Sequence, residues 1–219
     1  LPKGQPIPLK PEHRSHPSDE YTLRIYESHH QRTIDRVGLI LPTSLCSGQI
    51  ARMAANRLNE KGLAQTYGLS RFVSLVHTEG CGASGGPSED LYARTMTGYL
   101  THPMTTAALL LEHGCERTHN DFYREQLNQR GVGMDRFGWA SVQLDGGIDK
   151  VLDRIETWFT DTLAILDQPT IHSRGLERLS LALPMIGPVS DSLAGALIQL
   201  LRMVVDSGGT IVIPDQSAL

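Results

Sequence analysis

Apolar runs at residues 37–41, 71–76, 107–111, 137–142, 178–183 and 210–213 have the length of buried strands. Between them, apolar residues recur at three- and four-residue steps. Cys46, Ile50, Met53, Ala54 and Leu58 share one helical face, and Ile148, Val151, Leu152, Ile155, Phe159 and Leu166 share another. Leu193, Leu197, Leu200, Leu201 and Val204 form a third, with a start signal at Ser190-Asp191 and a stop signal at Gly208-Gly209. Strands alternating with helices imply βαβ units. The pattern therefore predicts an α/β fold: a three-layer, mainly parallel, Rossmann-like sheet of about six strands, ordering residues 37–213, with helices on both faces.

Residues 1–34 break this rhythm. They hold Pro2, Pro6, Pro8, Pro11 and Pro17 and no sustained apolar period, so they read as an extended arm or linker with one strand near Tyr21 to Tyr26. Residues 35–219 are then the α/β domain. His13, His16, His29 and His30 lie in the arm, where solvated histidines are a better reading than metal ligands.

Composition narrows the function classes. The 219 residues are 40% hydrophobic and 20% charged, as in ordinary soluble domains. The net charge of −4 offers no basic stripe for nucleic acid. No apolar run approaches the roughly 18 residues of a membrane span, and no signal-peptide pattern opens the chain. An odd count of three cysteines without secretory features points to a reducing, cytoplasmic setting. The first residue is Leu1 rather than Met, as expected of a processed product or a piece of something longer.

The cysteines carry the strongest signal. Cys46, Cys81 and Cys115 each follow an apolar run inside a small polar cluster. If those runs are parallel strands, all three thiols lie at the carboxyl edge of one sheet, where open α/β folds place ligands. Gly80, Gly82, Gly85 and Gly86 crowd the second loop and allow close backbone approach to a ligand, with Ser88-Glu89 capping the next helix. The third loop packs Glu112, His113, Cys115, Glu116, His119 and Asp121 together. Thiolate, imidazole and carboxylate are the usual ligands of zinc and iron. Three cysteines converging from three loops could hold one transition metal or an iron–sulfur cluster with an open iron position. Taken singly, each is more often a small buried hydrophobe, and Glu116 or Asp121 could simply favour a helix start. The polar loops at 143–147 and 187–191 rank lower. There is no C-x-x-C pair, P-loop, dinucleotide fingerprint or G-x-S-x-G elbow.

These loops resemble the central part of the altronate dehydratase and galactarate dehydratase family of sugar-acid hydro-lyases. The resemblance runs from about Val37 to Leu219. It rests on Thr43 to Cys46, Gly80-Cys81-Gly82, His102-Pro103, Gly114-Cys115-Glu116 and Gly208-Gly209-Thr210. Departures accompany it. The family's small N-terminal domain and long C-terminal region are not present in full. Pro184-Met185-Ile186-Gly187-Pro188-Val189-Ser190-Asp191 stands where the family has a Cys-Gly-Gly-Ser-Asp run, and Asp35-Arg36 replaces an Arg-Asn pair.

The resemblance implies a hydro-lyase acting on a small hydroxy acid such as a sugar acid, by metal-assisted β-elimination of water. It implies a divalent metal, iron first, held by Cys46, Cys81 and Cys115 with Glu116 close by. His77 and His113, with Glu116, would then be the catalytic acid–base groups. Arg94, Arg117, Gly80 and Gly82 would bind the substrate. The alternative is a non-catalytic sugar-acid-binding module, or the partner subunit of a split dehydratase whose second subunit supplies the missing regions. A homo-oligomer is equally open; nucleic acid and membrane are not expected partners.

Overall fold

The computed structural model describes residues 21–28, 31–79, 81, 85–183 and 190–213. The chain forms two compact units, residues 26–170 and residues 1–25 with 171–219. The Tyr26–Ser28 end of β1 (Leu23–Ser28) turns back antiparallel onto β2 (Gln31–Thr33), so the arm expected over residues 1–34 ends in a hairpin. Residues 1–20, with His13 and His16, lie outside the described residues, as do His29 and His30.

The core sheet follows from the apolar runs. β3 (Val37–Pro42), β4 (Arg71–Ser74), β5 (Thr105–Glu112) and β6 (Phe137–Ser141) are all parallel, in the order β4-β3-β5-β6. Every position of β3 is buried, which is why its sequence does not alternate: helices cover both of its faces. Ile40, Leu109 and Leu111 pack against α1 (Leu45–Glu60) and α5 (Ile148–Ile165), with the short α2 (Leu63–Thr66) at the margin. Leu39, Leu41, Ala108 and Leu110 face α3 (Gly86–Leu100) and α4 (Asn120–Gln129). Helix α1 buries Ile50, Ala51, Ala54, Ala55 and Leu58, whereas Cys46 and Met53, expected on that face, are exposed. The alanines let the helix lie close to the sheet.

The sheet differs from expectation in size. It has four parallel strands, not six. The last two apolar runs do form strands, β8 (Ser180–Ala182) and β9 (Thr210–Val212), but they pair in parallel with each other within the smaller unit. Each has three residues with only the middle one half-buried, too little apolar surface for a strand covered on both faces. Between them, α6 (Asp191–Asp206) starts at the expected cap, where the Ser190 hydroxyl accepts from the Leu193 N–H. A polar strand, β7 (Thr170–Arg174), had no apolar run to announce it. Among the described residues, no helix is long and apolar enough to cross a membrane.

The register aligns the strand ends. Pro42 pairs with Leu111 and Glu112 with Ser141, so the segments after β3, β4, β5 and β6 leave from one carboxyl edge.

Candidate functional site

Backbone hydrogen bonds knit the Cys46-bearing start of α1 and the two loops that carry Cys81 and Cys115 together at that edge. The Leu45 N–H donates to Glu79 O (2.7 Å), joining the helix start to the second loop, and the Arg117 N–H donates to Cys81 O (3.4 Å), joining the third loop to the second. Gly114 permits the third loop's path. Its φ is +117°, and a Cβ there would meet the Gln143 side chain at 2.8 Å, so only glycine fits.

The result is a row of sulfurs. Cys46 Sγ stands 3.8 Å from Cys81 Sγ, and Cys81 Sγ stands 3.7 Å from Cys115 Sγ. His113 Nδ1 extends the row, 3.5 Å from Cys115 Sγ. All three thiols are free; Cys46 and Cys115 are exposed and Cys81 is half-buried. No hydrogen bond closes Cys46 onto Cys115, and among the described residues no three His, Cys, Asp or Glu groups form a ready-made metal site. Thiol and imidazole are the donor types that thiophilic ions take. Tetrahedral bonds of about 2.3 Å put sulfurs about 3.8 Å apart, close to both observed separations. Crowding also shapes their acidity. The hydrogen bond with Cys81, its charge, and Glu116 beyond raise the Cys46 thiol above its ordinary value. The bond with Cys115 does most to raise Cys81. A cation at the row would reverse that pressure.

Glu116 is the knot of the site. Its Oε1 accepts from the His113 N–H (2.7 Å), the Ser44 hydroxyl (2.8 Å) and the Thr43 hydroxyl (3.0 Å). Its Oε2 accepts from the N–H groups of Gly114 (2.7 Å) and Cys115 (2.9 Å). Burial would push this carboxyl up, but the backbone N–H donors and the Ser44 hydroxyl overcome it and hold the group at about 2. It is a fixed anion, not a proton carrier at neutral pH. Ser44 is also the N-cap residue of α1, yet its hydroxyl serves Glu116 instead of capping the helix. One carboxylate thus ties the start of the Cys46 helix to the Cys115 loop.

His77 is anchored from behind. Its Nε2 lies 2.8 Å from Pro42 O, an acceptor, so Nε2 donates there. Nδ1 is buried and without a partner among the described residues. The Tyr92 hydroxyl donates to Thr43 O (2.8 Å) and sits 3.1 Å from His77 Nε2, with burial pushing the phenol up to about 12. Replacing Tyr92 by Phe should lower unfolding free energy by about 1–2 kcal/mol in a urea titration, because Thr43 O loses its buried donor.

The remaining candidates divide. Arg117 joins the site through its backbone, and its exposed side chain leaves from the same loop. Arg94 does not join it. It lies two residues beyond Tyr92 on α3, about 200° around the helix, and is exposed while Tyr92 faces His77. Gly80 and Gly82 lie outside the described residues. Glu89 accepts from the Gly85 N–H at the start of α3, as a cap should, but Ser88 falls inside the helix. Thr43 and Ser44 lie in the Thr43 to Cys46 stretch that carries part of the resemblance, but nothing in the sequence assigned them a role, and Tyr92 was not singled out there.

A family model described as D-galactarate dehydratase/Altronate hydrolase, second domain, matches residues 35–167. The match begins just ahead of β3 and ends just past α5, inside the larger compact unit. No curated protein and no solved structure matches the chain.

Proposed function

The chain belongs to the D-galactarate dehydratase/altronate hydrolase family through its second domain, and from that membership we propose that it acts as a hydro-lyase domain on a hydroxy acid of the sugar-acid class. The observation that carries the reading is the row of Cys46, Cys81, Cys115 and His113 at the carboxyl edge of the parallel sheet. Cys46, Cys81 and Cys115 would hold a divalent metal, iron first. Their close spacing favours a single ion over a cluster, whose separate irons would spread the sulfurs farther apart. A cation there supplies positive charge for the substrate carboxylate and for the negative charge that develops beside it.

The chain's own groups divide the remaining work. His77, its ring fixed by Pro42 O and Tyr92, is the candidate to take the proton beside the carboxylate. His113, against Cys115, is the candidate to protonate the departing hydroxyl, so that water leaves and the enol product relaxes to a 2-keto acid. Glu116 takes a positioning role. Arg117, on the loop that bears Cys115, would receive a substrate carboxylate.

The test is turnover. Protein purified without oxygen and supplied with ferrous iron should release 2-keto acid from at least one hexaric or hexonic acid, galactarate and altronate first. His113→Asn should lower kcat by about a hundredfold with little change in KM. Binding of the acids without any keto product would overturn the hydro-lyase reading and leave a sugar-acid-binding module.

A further inference from the structure

A cavity of about 430 Å³ opens at the edge of the sheet opposite the thiols, a size typical of small-molecule sites. Arg36, directly before β3, and Arg136, directly before β6, both line it. Arg36 is 7% exposed, and its guanidinium donates to Gly68 O (3.3 Å) and stands over the Tyr26 ring. Arg136 donates to Thr105 O and stands over Phe137. These are their only side-chain hydrogen bonds among the described residues, although a guanidinium carries five N–H donors. Among the described residues no ion pair joins a carboxylate to either one, although Asp135 and Asp167 also border the cavity.

Holding a buried Arg36 and a half-buried Arg136 without an acid partner is costly, and a site that does so favours an anion brought from elsewhere. Burial weakens the hold of both guanidiniums on their protons, as expected when no counter-charge is present. Pro103, Val132 and Leu166 beside the Tyr26 ring add an apolar stretch to a wall that also carries Thr33, Thr105 and Thr106. Such a wall suits a body that sheds water, not a bare inorganic ion.

We propose that this cavity is a second ligand site, binding a small organic carboxylate whose charge rests on Arg36 and Arg136 and whose hydrocarbon part packs against Tyr26, Val132 and Leu166. It is separate from the thiol site, because the length of the parallel strands lies between them. The occupant is therefore a regulator or a second substrate-like acid, bound without contact to the sulfurs.

Calorimetric titration of the full chain at low salt with phenylacetate, malate and inorganic phosphate tests this. Phenylacetate should bind tightest, and Arg36→Gln or Arg136→Gln should each weaken it by at least about tenfold. Gly133→Glu guards against variants that simply misfold. A Cβ at Gly133 meets nothing within 4 Å, so the change is tolerated while it sets a competing carboxylate at the cavity wall. It too should weaken binding by about tenfold or more. Cys81→Ser should leave the affinity unchanged. The proposal is overturned if no carboxylate binds the wild-type chain, or if phosphate binds as tightly as phenylacetate. It is equally overturned if Arg136→Gln and Gly133→Glu bind normally, or if Cys81→Ser abolishes binding.

Discussion

Glu116→Ala should lower unfolding free energy by about 3 kcal/mol, because three backbone N–H groups and two hydroxyls lose one buried acceptor together. For a chain of this size that is roughly a 10 °C fall in melting temperature. Glu116→Gln should recover little, since an amide turns its NH2 towards groups that are themselves donors. Acidity gives an independent check. The Glu116 carboxyl sits at about 2, below its ordinary 4.5, so its contribution is present above pH 4.5 and is lost as pH falls towards 2. Wild-type stability should therefore drop through that window by on the order of 2 kcal/mol more than that of Glu116→Gln. Equal pH slopes, or an alanine variant within about 0.5 kcal/mol of wild type, would remove Glu116 from its place as the knot.

Replacing any one of Cys46, Cys81 or Cys115 by Ser should weaken ferrous or zinc binding by at least about an order of magnitude. Met53→Leu, on the same helix as Cys46 but away from the sulfur row, should change it little. Binding should release protons and strengthen as pH rises, since Cys46 and Cys81 hold their protons more tightly than ordinary thiols. Three variants with wild-type affinity would return the cysteines to a packing or redox role.

The parts of this architecture that were legible in the sequence share a cause. β3 and β5 are buried along nearly their whole length, so they read as unbroken apolar runs, and the helices between them show their period. Parallel connection then put Cys46, Cys81 and Cys115 at one edge before any distance was known. The partnership of β8 with β9 was not legible, because three-residue, half-exposed strands carry no mark of which sheet they join. Nor was β7, whose Thr-Ile-His-Ser-Arg sequence is mostly exposed.

Within the site, residue type gave the donors but not their employment. Glu116 looked like a ligand or a proton carrier, and only its five donors reveal a carboxylate already fully engaged. Nothing local to Tyr92 in the sequence says that its hydroxyl reaches Thr43 O beside His77. Arg94 had the right charge on the wrong side of the same helix. Arg36 and Arg136 each sit one residue ahead of a strand, where an arginine passes for a solvated flank until the cavity beneath it is seen.

Anaerobic titration with Co²⁺, followed through sulfur-to-metal charge-transfer absorption, reads out the shared thiol pocket itself. Saturation is expected at one ion per chain, with band intensity typical of several thiolate ligands and greatly diminished in each of the three Cys→Ser variants. A wild-type chain that develops no charge-transfer band, or one whose band survives the loss of Cys81 from the middle of the row, would contradict it.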